Sequence, residues 1–132
     1  MRIVLVLWLC ALPQFLWAQD DTPITPRIAI KVALSESIET HEVTVEFLEV
    51  LEDSRCPKDV ECLWAGRARV KVKVSRPDTD SEILEITLGK NDSNVLYTDE
   101  NYVLRAAALT PYPTTENSGT REYALLVVEE KL

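Results

Sequence analysis

The chain holds one histidine, His41, three glycines and a single methionine at position 1. With one imidazole there is no histidine set to bind catalytic zinc. A Ser–His or Cys–His pair would have to use His41 itself, which sits in a polar stretch between Glu39 and Glu42, and no nucleophile elbow precedes a helix. Basic residues are outnumbered, 14 against 22 acidic, giving a net charge of −8. That balance repels nucleic acid and anionic membrane surfaces. The chain is therefore expected to be neither a nucleic-acid binder nor an enzyme. Its longest apolar run, Ile3 to Leu12, falls well short of the roughly 20 residues that span a bilayer.

That run has another reading. Arg2 precedes it, and a short stretch ends at Ala18 just before Asp20 and Asp21. This is the layout of a secretory signal peptide, with a basic start, an apolar middle and a small residue at the cut. Cleavage is expected near Ala18, leaving residues 19–27 as an extended lead-in and 28–132 as one domain in the periplasm or outside the cell. Cys10 is a poor lipid-attachment site, because Trp8 and Leu9 stand where small residues are wanted. Removing the leader takes Arg2 and Cys10 with it. The mature domain then has 13 basic residues against 22 acidic, a charge of about −9. Cys56 and Cys62 remain as an even pair, which in an exported protein reads as one disulfide.

Strand patterns fill the rest. "RARVKVKVS" (67–75) alternates strictly, with Ala68, Val70, Val72 and Val74 on one face and Arg67, Arg69, Lys71 and Lys73 on the other. "EILEITL" (82–88) is its natural hairpin partner. "VTVEFLEVLE" (43–52) alternates through Val43, Val45 and Phe47 and then slips phase, which predicts a β-bulge near Phe47. "IAIKVAL" (28–34) and "ENYVLRAAALTPYP" (100–113) also read as strands. "REYALLVVEE" (121–130), apolar on both faces, reads as a central strand covered on both sides. Residues 35–41 read as a turn. The class is all-β: an antiparallel β-sandwich, Ig-like or jelly-roll-like, of about seven strands with one disulfide.

Between two of these strands lies "DSRCPKDVECLWAG" (53–66). A Cys56–Cys62 bridge encloses five residues and restricts the unfolded chain by about 2.4 kcal/mol on the loop-closure relation. Its main effect is local, because Pro57 fixes its own φ and the ring holds Lys58, Asp59 and Glu61 in few orientations. The ring is either a recognition surface or a staple for a long crossover. A redox role is disfavoured by the five-residue spacing and the acidic neighbours. Asp53 is expected to bond backbone amides and start the turn, with Arg55 paired to a carboxylate. Calcium held by Asp53, Asp59 and Glu61 with Asp20 or Asp21 is the alternative; it matches no specific calcium loop. No other metal or cofactor is expected. Trp64 is expected to cover the disulfide or the core edge with its N–H bonded to a carbonyl; the alternative is an exposed stacking platform for a sugar ring. Gly66 gives the backbone freedom to turn into the next strand.

Asp53, Ser54, Arg55, Cys56 and Pro57, then Val60, Cys62, Trp64, Ala65, Gly66 and Ala68, form a pattern that resembles a family of small exported bacterial domains of uncharacterised function. Together with "LTPYP" and "YALLVV" the likeness spans roughly residues 28 to 129. It implies a small β domain and carries no activity.

The basic stripe from Arg67 to Lys73 is expected to pair across strands with carboxylates such as Glu46, Glu49 or Glu85 rather than to bind a polyanion. The function expected is a non-catalytic binding or structural module with a protein or glycan partner. Its candidate interaction loop comprises Asp53, Arg55, Lys58, Asp59, Glu61 and Trp64. Two other readings compete with it. One is a protease inhibitor that inserts Arg55 or Lys58 into a basic-specific pocket. The other is a glycan hydrolase built on two carboxylates about 5–10 Å apart.

Overall fold

The computed structural model describes residues 27–89, 94–119 and 121–132. The expected leader, Cys10, Asp20 and Asp21 lie outside these residues. Eight strands follow one another: β1 (Arg27–Ala33), β2 (Ser37–Thr40), β3 (Val43–Asp53), β4 (Ala68–Arg76), β5 (Thr79–Leu88), β6 (Val95–Thr98), β7 (Tyr102–Thr110) and β8 (Ala124–Lys131). They form two four-stranded sheets, β1-β8-β7-β6 and β2-β3-β4-β5, antiparallel throughout. The β-sandwich expected from the alternation is the fold found. Its chain path is a meander in each sheet, with β1 returning beside β8. The Greek keys of Ig-like and jelly-roll connectivity are not part of it.

Period-two patterning decides which side chains meet between the sheets. Val43, Val45 and Phe47 of β3 and Ala68, Val70, Val72 and Val74 of β4 are buried from one side. Leu104, Ala106 and Leu109 of β7 and Leu125 and Val127 of β8 are buried from the other. Each large apolar side chain so enclosed contributes about 1.5–3 kcal/mol. The outward residues of β4 meet carboxylates: Lys71 lies 2.6 Å from Glu49, Arg69 2.9 Å from Glu85 and Lys73 3.9 Å from Glu46. The register slips between Phe47 and Glu49, where the phase change in the sequence predicts a bulge.

Two expectations need correction. Residues 35–41 are not all turn, because Ser37–Thr40 pairs with β3; with the four-residue β6 this raises the count to eight. β8 is central in its sheet, but only its inner face is fully covered. Leu126 and Val128 on the outer face are half-buried, because no further layer of the described residues lies over them.

β2 and β3 join through two residues, His41 and Glu42, at φ 46° and 68°. Positive φ at both positions matches a type I′ hairpin turn, which suits the strand twist but normally uses Asn and Gly. Contacts from the other sheet hold it there. Glu129 accepts a bond from Thr40 (3.1 Å) and lies 3.0 Å from the His41 ring, while the Tyr102 hydroxyl donates to the His41 carbonyl at 3.2 Å. Burial, helped by the nearby Asp99 charge, pushes that hydroxyl up to about 12, so it remains a donor at any ordinary pH. Replacing Glu42 by glycine removes the Cβ penalty of the left-handed conformation and should stabilise the domain by about 0.5–1 kcal/mol. Urea unfolding monitored by far-UV circular dichroism measures this, and a loss of stability would show that the turn is not left-handed.

Candidate functional site

The β3–β4 connection continues as a ladder beyond its strands. The Ser54 amide donates to the Arg67 carbonyl at 2.8 Å and the Cys56 amide to the Ala65 carbonyl at 2.9 Å. In such extended backbone, residues two apart share a face, so Asp53 and Arg55 point the same way. They pair with each other: Arg55 Nε lies 2.7 Å from Asp53 Oδ1 and its Nη2 2.9 Å from Oδ2. The β7–β8 connection supplies another such pair. Arg121 Nη1 and the Tyr123 hydroxyl donate to Asp53 Oδ2 at 2.8 and 2.9 Å. Arg55 spends its remaining donors on the carbonyls of Leu109 (2.7 Å) and Pro111 (3.1 Å), and its guanidinium lies over the Tyr112 ring.

One carboxylate thus joins two loops. The Asp53 side chain is 4% exposed and that of Arg55 11%. Burial alone would push the Asp53 carboxyl up. The hydrogen bonds from Arg55 and Tyr123, with the Arg55 charge, outweigh burial and hold it below the ordinary aspartate value.

Ser54 faces the other way. Its hydroxyl bonds Glu52 and the Arg67 carbonyl, and its own carbonyl lies where a side chain on residue 66 would stand. A Cβ on Gly66 would come within 1.8 Å of that oxygen, and φ there is +68°. Only glycine fits on both counts.

Beyond the ladder, Cys56 and Cys62 are bonded, with their Cα atoms 6.0 Å apart. The ring leans on the β7–β8 loop. The Lys58 amide donates to the carbonyl of buried Pro113 at 3.1 Å, and the Asp59 carboxylate accepts from the Thr115 amide (3.0 Å) and hydroxyl. The Thr115 hydroxyl bond outweighs the small desolvation and holds the Asp59 carboxyl below its usual range.

At the tip the chain exposes its apolar residues. Leu63 is 94% and Trp64 74% exposed; Val60, in the ring, and Tyr112, on the β7–β8 connection, are about half exposed. This corrects the expected packing role of Trp64. Its ring neither covers the core nor bonds a carbonyl of the described residues, because Leu63 and Trp64 lie past the last ladder bond, where the chain bends away from both sheets. Leu63 and Trp64, together with Arg55, Pro57 and the two bridged cysteines, line a shallow depression of about 310 Å³.

The remaining candidate residues divide between frame and surface. Asp53 bonds the side chains of Arg55, Arg121 and Tyr123, and the backbone of Arg55 also bonds its carboxyl, in line with the expected amide contact; Arg55 does pair with a carboxylate, as expected. Neither is an exposed contact residue. Arg55 cannot enter a protease pocket from this position, and Lys58 sits in a tight turn closed by the Val60 amide on the Pro57 carbonyl. Calcium ligation by Asp53 would compete with two guanidinium groups already on its oxygens, and Asp59 faces Thr115. Lys58, Asp59 and Glu61 are exposed on the ring. Arg121, Tyr123, Thr115, Tyr112 and Leu63 escaped the sequence reading. They are distant in sequence or plainly apolar, and the only hint was Arg-x-Tyr ahead of β8 with the same i, i+2 spacing as Asp-x-Arg.

Replacing Asp53 by asparagine leaves two buried cations without their counter-charge and should cost about 3 kcal/mol at pH 7. The folded carboxyl releases its proton more readily than the unfolded one. The unfolded state therefore takes up protons first, and Asp53's stabilisation is full above the ordinary value of 3.8 and is lost as the pH falls below it. Urea titrations at pH 7 and pH 3 should show the gap between wild type and Asp53→Asn shrinking in acid. A gap of the same size at both pH values would contradict this role.

Compared with protein-family models, with curated proteins and with solved structures, the chain matches none of them.

Proposed function

We propose that this protein is an exported, non-catalytic binding module that engages a protein partner in the envelope or outside the cell through the tip of its disulfide loop. The observation that carries this reading is the exposure of adjacent Leu63 and Trp64 on a loop that is otherwise fixed at every level. Large apolar side chains displayed on a rigid support lose little entropy on binding, and tryptophan is the residue most enriched among dominant interface contacts. A disulfide used only as a staple would not require the two residues that directly follow it, Leu63 and Trp64, to stand in water.

The chemistry of the loop end also favours binding over catalysis. A glycosidase acid needs a carboxyl held up near neutral pH. The Asp53 carboxyl, whose side chain is 4% exposed, is instead held down by hydrogen bonds from Arg55 and Tyr123 and by the Arg55 charge. His41 lies at the opposite end of β3 from the loop.

The test is a partner capture from the native compartment, comparing wild type with a Leu63→Ser, Trp64→Ser double variant. Both positions are exposed, so unfolding free energy should change by no more than about 0.5 kcal/mol. Binding should weaken by about 2 kcal/mol or more, close to thirtyfold. Unchanged affinity for the captured partner would remove the tip from the function.

A further inference from the structure

We infer that the partner offers an apolar pocket rimmed by basic side chains, a reading that rests on the tip being the interaction surface. Shape is the first argument. Leu63 and Trp64 are the most exposed large apolar residues among the described ones, at 94% and 74%. Both border the shallow depression at the disulfide but stay mostly in water, so their apolar surface is covered only by a partner that encloses both side chains. A neutral glycan would stack on the Trp64 ring, yet would leave the fully exposed aliphatic Leu63 still in water.

Charge is the second argument, and it is independent of shape. Asp59 and Glu61 lie within the ring, and Glu116 follows Thr115, the residue that clasps Asp59. Glu61 and Glu116 make no ion pair with any described residue. Against these three carboxylates stands one exposed ammonium, Lys58. The neighbouring Arg67 is engaged by Glu52 at 3.1 Å, and Arg55 is buried on Asp53. The tip therefore carries an acidic collar, in keeping with the net charge of −8.

This collar discriminates among occupants. A second copy docking tip to tip would bring like carboxylates well inside the roughly 8 Å screening length at physiological salt. An anionic bilayer is repelled for the same reason. A pocket bordered by lysine or arginine gains from the collar, mainly in association rate and orientation, while Leu63 and Trp64 supply the affinity.

The test uses the full chain with Trp8→Phe and Trp17→Phe, which leaves Trp64 as its only indole. Two synthetic amphipathic peptides serve as probes, one of leucine and lysine and one of leucine and glutamate. The lysine peptide should shift Trp64 emission to the blue and bind about tenfold or more tighter than the glutamate peptide, with an affinity that falls as salt is raised. Glu61→Gln with Glu116→Gln should weaken it several-fold without changing the melting temperature, and Leu63→Ser should abolish it. Equal binding of both peptides, or no effect of the glutamine variants, overturns the basic rim while the tip remains the interaction surface. A response that survives Leu63→Ser overturns both readings. A doubling of mass in light scattering that depends on Leu63 overturns the basic pocket in favour of self-association.

Discussion

One carboxylate sets the loop end of this molecule. Asp53 ends β3, is almost wholly buried, and receives donors from Arg55 on its own loop and from Arg121 and Tyr123 on the next. A buried charge of this kind is tolerable only when every oxygen is satisfied, so the two loops cannot move apart without exposing a costly imbalance. Arg55 extends the constraint, because it also fixes the carbonyls of Leu109 and Pro111 at the end of β7. The rest of the loop end follows. Gly66 must pass Ser54, the ring must lean on Pro113 and Thr115, and the tip is left with no sheet to cover it.

The strands were legible because their cause is local. Alternation in β3, β4 and β5 maps directly onto a half-buried pleat, and the phase slip after Phe47 onto a bulge. Elements with a non-local cause were missed. β2 is a strand only because the β1–β2 crossing delivers it to β3, where the Ser35 and Phe47 amides lock the register. At the site, the Cys56–Cys62 pair, the glycine at position 66 and a carboxylate partner for Arg55 all follow from composition and spacing. The pairing with Asp53 follows from the i, i+2 spacing of extended backbone, whereas the sharing of Asp53 with Arg121 and Tyr123, nearly seventy residues away, is a product of the β7–β8 hairpin. Trp64 was misplaced because nothing local separates a tryptophan that packs on a neighbouring disulfide from one that stands exposed beside it.

Exposed leucine and tryptophan are a liability that the remainder of the chain offsets. The excess of carboxylates keeps the protein charged, and like-charged copies resist association through their apolar tips. On the proposed reading the same excess supplies the acidic residues near the tip, so that solubility and selectivity have one origin in the composition. The basic stripe of β4 does not interrupt this field, because Glu46, Glu49 and Glu85 answer it across the strands.

The central claim is that the disulfide loop is a fixed platform with a bare tip. Native-state hydrogen exchange measures this amide by amide. The amides of Ser54, Cys56 and Lys58, bonded to Arg67, Ala65 and Pro113, should exchange almost as slowly as those of β4, while those of Leu63 and Trp64 should exchange freely. If Ser54, Cys56 and Lys58 exchange as fast as the tip, the loop is not held and the account fails.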